Sequence, residues 1–205
     1  HETELNYIPT AVVKKVAVVG AGPAGLAAAT VAAERGHEVT LYDSAKEIGG
    51  QFNVAKLIPG KEEFWETLRY FEQKLRATQV KVRLGQRVKA QDLLDVGFDE
   101  VILATGIVPR VPDIPGIDHP KVMGYLDAIL ERQPVGKSVA VIGAGGIGFD
   151  VSELLTHSGK SSSLDTETFW KEWGIDLGLE ARGGVEGIQP QPTAAARQVY
   201  LLQRK

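Results

Sequence analysis

Two strings of glycine constrain this chain more than any other feature. Gly20-Ala21-Gly22-Pro23-Ala24-Gly25 follows the apolar run at 16–19, and Gly143-Ala144-Gly145-Gly146-Ile147-Gly148 follows another at 139–142. Both are G-x-G-x-x-G patterns placed directly after a strand-like segment. The first glycine permits a tight turn out of the strand. The second lets the backbone approach a pyrophosphate, and the third lets the next helix pack closely on the sheet. The diphosphate of a dinucleotide then meets free N–H groups and the positive end of the helix dipole.

The rest of the chain predicts an α/β fold of two Rossmann-like dinucleotide-binding units, the second one truncated. Residues 1–14 read as an irregular lead-in with Pro9. Residues 23–35 are rich in Ala and Leu and predict a helix stopped by Gly36, with a second strand over 38–43. Phe64, Leu68, Phe71 and Leu75 recur at helical spacing within 62–76, whereas 80–84 alternates as a strand does. Residues 98–103 form another strand, ended by Ala104-Thr105-Gly106. Pro109, Pro112, Pro115, Gly116 and Pro120 restrict the backbone and predict a stiff connector. The expected divisions are 15–108, then a connector and helix over 109–137, then a second unit over 138–205. That second unit has its last strand at 199–202 and a long insertion at 158–196, rich in Ser, Gly, Gln and Pro. Phe169, Trp170 and Trp173 interrupt the insertion; they either cap a cofactor or, the simpler reading, seal the insertion by packing.

The sequence contains no cysteine, which removes disulfides, thiolate metal sites and a redox-active dithiol. His1, His37, His119 and His157 lack metal-ligand spacing, and His37 is expected to face solvent in a turn; no metal site is expected. A net charge of -3 without a basic block argues against a nucleic-acid partner, and no apolar run suits a bilayer. The polar start does not resemble a signal peptide, so a cytoplasmic location is expected. Both ends look like cut points within a longer polypeptide, with small-molecule nucleotides as the expected partners.

The first glycine loop is expected to hold FAD through Gly20, Gly22, Pro23, Ala24 and Gly25. Asp43 stands 21 residues after Gly22, where a carboxylate accepts hydrogen bonds from ribose hydroxyls. The glycine doublet Gly49-Gly50, then Gln51, and the later Ala104, Thr105 and Gly106 favour FAD over NAD. Val88, past the 80–84 strand, belongs to the same set. Lys61 either places a cation near the phosphates or is a solvated lysine at a helix start. The second loop is expected to hold NADPH through Gly143, Gly145, Gly146, Ile147 and Gly148. Its ribose-recognising strand ends in Arg204 and Lys205 instead of an acid, and a 2′-phosphate needs positive charge. Asp150, just past Gly148, is either an acid on the nicotinamide side or, the plainer reading, a solvated helix acid.

Several longer strings resemble the C-terminal part of bacterial NADPH-dependent 2,4-dienoyl-CoA reductases. They are Glu47-Ile48-Gly49-Gly50-Gln51-Phe52-Asn53, Ile58-Pro59-Gly60-Lys61-Glu62-Glu63, Ala104-Thr105-Gly106-Ile107-Val108-Pro109-Arg110 and Ile142 through Asp150. Glu172-Trp173-Gly174-Ile175-Asp176 and Leu202-Gln203-Arg204-Lys205 look like the same family. The resemblance implies an oxidoreductase in which hydride passes from NADPH to FAD and electrons move on singly. FMN, a [4Fe-4S] cluster and the catalytic acids would lie in an N-terminal barrel of the same parent chain, absent from this sequence. Two other readings stay open: an amine-dehydrogenase relative whose nucleotide domains are structural, and a non-catalytic nucleotide-binding module.

Overall fold

The structure is a computed structural model that describes residues 1, 3–4 and 6–203. It divides into two compact units: residues 1–53 with 64–110, and residues 54–63 with 111–205.

The first unit is a parallel four-stranded sheet in the order β3-β2-β1-β4. Its strands are β1 (Lys15–Val19), β2 (Glu38–Tyr42), β3 (Lys81–Arg83) and β4 (Glu100–Leu103). β1 pairs with β2 on one side, Val16 opposite Val39, and with β4 on the other, Val16 opposite Glu100. A strand enclosed on all sides has no solvent face, which is why 16–18 are all apolar and at most 4 % exposed. α1 (Pro23–Glu34) begins with Pro at its first turn and gives way to Gly36, whose φ of 97° suits glycine. It lays Leu26 and Ala29 on the sheet, and the buried Thr30 hydroxyl donates to the Leu26 carbonyl at 2.8 Å. After the short α2 (Phe52–Ala55), the amphipathic α3 (Phe64–Ala77) buries Leu68 and Leu75, and its Lys74 pairs with Glu34 of α1. The core joins Val16, Val18, Leu26, Leu41 and Leu75; complete burial of one such leucine stabilises by about 1.5–3 kcal/mol. A short α4 (Ala90–Val96), absent from the sequence expectation, starts with the Lys89 N–H donating to Asp92 at 2.7 Å and ends at Gly97. His37 is half-buried rather than solvent-facing, because its Nδ1 accepts the Lys14 N–H at 3.3 Å.

The second unit is built on two parallel strands, β5 (Ser138–Ile142) and β6 (Gln198–Leu202), with α5 (Tyr125–Ile129) and α6 (Gly146–Thr156). Ile58, Ile129, Val151 and Leu155 form its core, with Val139, Val141 and Val199 packed against them. Two expected boundaries change here. Residues 54–63 fall in the second unit instead of an uninterrupted 15–108, because Ile58 is 2 % exposed within that core. Residues 111–137, expected as a stiff connector and helix between units, are instead part of the same body, because Ile129 and Val135 also pack there.

The 158–196 insertion is a folded lobe. Its helix α7 (Thr166–Trp173) is capped by Asp165, which accepts the Thr168 N–H at 2.9 Å, and it stops at left-handed Gly174. The return segment is tied down by Gln191 N–H to the Lys171 carbonyl at 2.9 Å and Ala196 N–H to the Thr156 carbonyl at 2.8 Å. Phe169 and Trp173 lie with ring centroids 5.8 Å apart, and Trp173 remains 64 % exposed, so it does not seal the lobe. Among the described residues, no helix is long and apolar enough to cross a membrane.

Candidate dinucleotide-binding sites

In the first unit the glycine loop leaves β1 by a turn that only glycine fits. Gly20 has φ 112°, and a Cβ there would run into the Ala104 carbonyl oxygen at the end of β4. A Cβ on Gly25 would strike the Gly20 carbonyl, so α1 packs against the turn itself. Gly22 differs: the nearest atom to a Cβ there is Gly50 Cα at 4.0 Å, which leaves the space before the helix open. No side chain caps α1, whose N-cap is Gly22, and its first turn holds no acid. The first N–H groups of the helix therefore have neither an intrahelical acceptor nor a side-chain cap. That cradle, with a close-approach glycine, fits a diphosphate.

Asp43 reaches this loop. Its Oδ2 accepts the Ala21 N–H at 2.6 Å and its Oδ1 accepts the Ala45 N–H at 2.7 Å. A carboxylate has about four acceptor positions, so ribose hydroxyls can still donate to it while it holds the loop in place. The glycine doublet closes on the same place: the Gly49 N–H donates to the Ala21 carbonyl at 2.8 Å, and Gly50 (φ 50°) lies against Gly22. Asn53, quoted above only as the end of a resembling string and assigned no role, donates from Nδ2 to the Ile48 carbonyl at 2.8 Å and steadies this turn. Gly50, Gln51, Ala24, Thr105 and Gly106 are exposed, while Val88, Pro23 and Ala104 are half-buried.

The second unit repeats the device. Gly143 has φ 117° and its N–H donates to the Leu202 carbonyl at 2.8 Å. A Cβ on Gly148 would strike the Gly143 carbonyl, as Gly25 would strike Gly20. α6 has Gly145 as N-cap, no side-chain cap and no acid in its first turn. Nothing in the structure lies within 4 Å of a Cβ at Gly143, Gly145 or Gly146, and Ile147 is 47 % exposed. Arg204 and Lys205 lie outside the described residues.

Lys61 and Asp150, two unconnected expectations in the sequence, meet. Lys61 Nζ lies 2.6 Å from both carboxylate oxygens of Asp150, within the second unit. The ammonium of the lysine is thus paired with the helix that follows the second glycine loop. Glu62, quoted above only within a resembling string, is tied nearby to Ser161 and Ser163, which carried no expectation of their own. The Ser163 hydroxyl donates to Glu62 Oε2 at 2.6 Å, and the Gly60 N–H donates to Ser161 Oγ at 3.3 Å. Burial pushes the Glu62 carboxyl up, but hydrogen bonds from the Ser161 and Ser163 hydroxyls and from the backbone of Glu62 and Gly60 together outweigh it and hold the group below the ordinary glutamate value. Among the described residues no group of three or more His, Asp or Glu side chains is arranged to hold a metal.

Residues 14–185 match the family model described as pyridine nucleotide-disulphide oxidoreductase. The chain belongs to this family. Pyridine nucleotide-disulphide oxidoreductases are named for a disulfide, yet this sequence has no cysteine to supply one. Among curated relatives, the chain is 34 % identical over 82 % of its length to a metal reductase of Desulforamulus reducens, and 37 % identical over 94 % to an NADH oxidase of Thermoanaerobacter brockii. It spans only 25 % and 32 % of those two proteins. Among solved structures, 2-naphthoyl-CoA reductase superposes over 97 % of the chain and 34 % of its own, with TM-score 0.69 and 24 % identity, a likeness of fold.

Proposed function

We propose that this chain is the electron-input portion of a flavin-dependent oxidoreductase, with FAD at the first glycine loop and NADPH at the second. One observation carries the reading: two glycine-headed helices, α1 and α6, each follow a parallel strand and each begin without a side-chain cap. The contrast with α7, whose start is filled by Asp165, supports a ligand role for the other two. Bound FAD supplies an acceptor for hydride that can pass electrons on singly. The chain's own residues bind and orient. Gly22, Ala24 and Gly25 would present backbone to the FAD diphosphate, Asp43 would take the ribose, and Gly50, Gln51, Val88 and 104–106 would line the remainder. Gly143 through Gly148 would take the diphosphate of NADPH, with Lys61 and Asp150 beside it. The cations Arg204 and Lys205 support NADPH over NADH, since a 2′-phosphate is doubly anionic and a bare hydroxyl is not.

In the whole protein, this step would feed reduction of a 2,4-dienoyl-CoA through FMN and a [4Fe-4S] cluster in a preceding barrel, the partner domain of the same chain. The strings that resemble that reductase family support this. So does the length of the relatives, of which this chain spans a quarter to a third. The test is to load the protein with FAD, remove free flavin, and add NADPH without oxygen. Bleaching of the flavin band is expected. Bound flavin that stays oxidised would favour a structural nucleotide, as in the amine-dehydrogenase-like or docking-module readings. Arg204→Ala with Lys205→Ala in the full-length parent protein is expected to lower the preference for NADPH over NADH, and an unchanged preference would refute the assignment of these cations.

A further inference from the structure

The insertion at 158–196 has no part in the nucleotide fold, yet it touches one segment beside the second glycine loop. Residues 59–63 form a strap. Ile58 anchors one end in the core of the unit, and the Lys61 N–H donates back to the Ile58 carbonyl at 3.0 Å. Beyond that anchor the strap is weakly held. Gly60 has φ 83° with nothing within 4 Å of its Cβ position, and Glu63 is exposed. The Lys61–Asp150 pair does not fix it alone: the two side chains are 39 % and 27 % exposed, and an ion pair so open to water is a weak constraint. Further side-chain ties among the described residues come from the lobe. Ser163 donates to Glu62, the Gly60 N–H donates to Ser161, and the two hydroxyls lie 2.8 Å apart, so one serine run holds the residues on both sides of Lys61.

The lobe is firm enough to act as a support. Asp176 accepts the N–H groups of Gly178, Glu180 and Ala181 at 2.9, 2.7 and 2.6 Å, and Ser158 donates to the Ala194 carbonyl at 2.7 Å. A Cβ on Gly174 would come within 2.8 Å of Pro190 N, so the end of α7 is pressed directly on the return segment.

We propose that the 158–196 lobe is a brace whose Ser161 and Ser163 hold the Gly60–Glu62 strap, and so position the Lys61–Asp150 pair on the nicotinamide half of the bound dinucleotide. This rests on the reading that the second loop binds NADPH. The adenosine half of a dinucleotide is recognised at the end of the second strand of such a unit, here β6. Lys61 and Asp150 belong to the strap and to α6 instead, which leaves them the other half. Ser161 and Ser163 are positioning residues: they act through Lys61 without touching the nucleotide.

The experiment measures binding of NADP⁺ and of 2′-phospho-ADP-ribose, which lacks nicotinamide, to the full-length flavin-loaded protein by calorimetry. Ser163→Ala and Glu62→Ala are each expected to weaken NADP⁺ about three- to tenfold, the loss that one hydrogen bond produces, and to leave 2′-phospho-ADP-ribose unchanged. Ser163→Thr, which keeps the hydroxyl, is expected to restore NADP⁺ binding. Equal weakening of both probes would make the lobe merely structural and overturn the proposal, as would unchanged NADP⁺ binding in both alanine variants. Failure of the unsubstituted protein to bind either probe would overturn the nucleotide reading itself.

Discussion

Gly22→Ala and Gly25→Ala differ by three positions in one loop, yet the structure assigns them opposite failures. Gly22 has φ -77° and ψ -177°, an extended conformation open to alanine, and its added Cβ would make only an ordinary 4.0 Å contact with Gly50. The apo protein should therefore keep its stability to within about 0.5 kcal/mol. The methyl group would, however, stand in front of the uncapped N-terminus of α1. Loss of one hydrogen bond to a charged diphosphate costs about 1.5–3 kcal/mol, roughly a ten- to 150-fold weaker FAD complex. Gly25→Ala meets the Gly20 carbonyl oxygen, with the Gly20 carbonyl carbon at 2.9 Å and Ala104 Cβ at 3.4 Å. The obstacle is backbone, so the helix must move. Overpacking of about 3 kcal/mol less about 1 kcal/mol of gained helix propensity leaves about 2 kcal/mol of net destabilisation. Urea unfolding of the apo proteins reads the first quantity, and flavin-fluorescence titration reads the second. A Gly22→Ala protein that binds FAD like the parent, or that loses as much stability as Gly25→Ala, would refute the reasoning.

Other substitutions probe separate parts of the structure. Asp43→Ala should weaken FAD at least tenfold and also loosen the loop, because it orphans the Ala21 and Ala45 N–H groups; hydrogen exchange at those two amides should rise. Leu26→Ala, at a fully buried position between α1 and the sheet, should cost about 2–5 kcal/mol in urea unfolding. Backbone and side-chain hydrogen bonds from Thr168 lead in holding the Asp165 carboxyl at about 2, against an ordinary 3.8, with Lys160 assisting. A depressed acid contributes stability that is complete above its unfolded value and is lost as pH falls through the folded one. The lobe should therefore loosen between about pH 4 and pH 2, read by Trp170 and Trp173 fluorescence in a Trp65→Phe background, and Asp165→Asn should shrink that transition.

Much of the fold was legible because its signals are local. The strands at 16–19 and 139–142 announce themselves as apolar runs, although only the first is buried in its sheet, and the two loops announce themselves by Gly25 and Gly148, where a Cβ would strike backbone within a few residues. α1 and α3 follow from composition and from the spacing of Leu68 and Leu75. α4 and α7 were less legible. α7 is short and half-exposed, with its start marked only by Asp165 and its stop by Gly174, inside a segment whose Ser, Gly and Pro content reads as irregular.

By itself the sequence determined an α/β plan in which a strand, a glycine turn and a helix occur twice, because each is encoded within a few consecutive residues. That Asp43 reaches the first glycine loop was legible for the same reason: strand–helix–strand geometry sets its distance from Gly22. Only the tertiary structure decided that 54–63 belongs with the second unit, that Lys61 meets Asp150, and that Ser163 holds Glu62. Those partners lie 89 and 101 positions apart. A hydrogen bond between polar side chains leaves no periodicity and no compositional trace at either end. It exists only once Ile58 is buried and the chain on both sides has been folded into place.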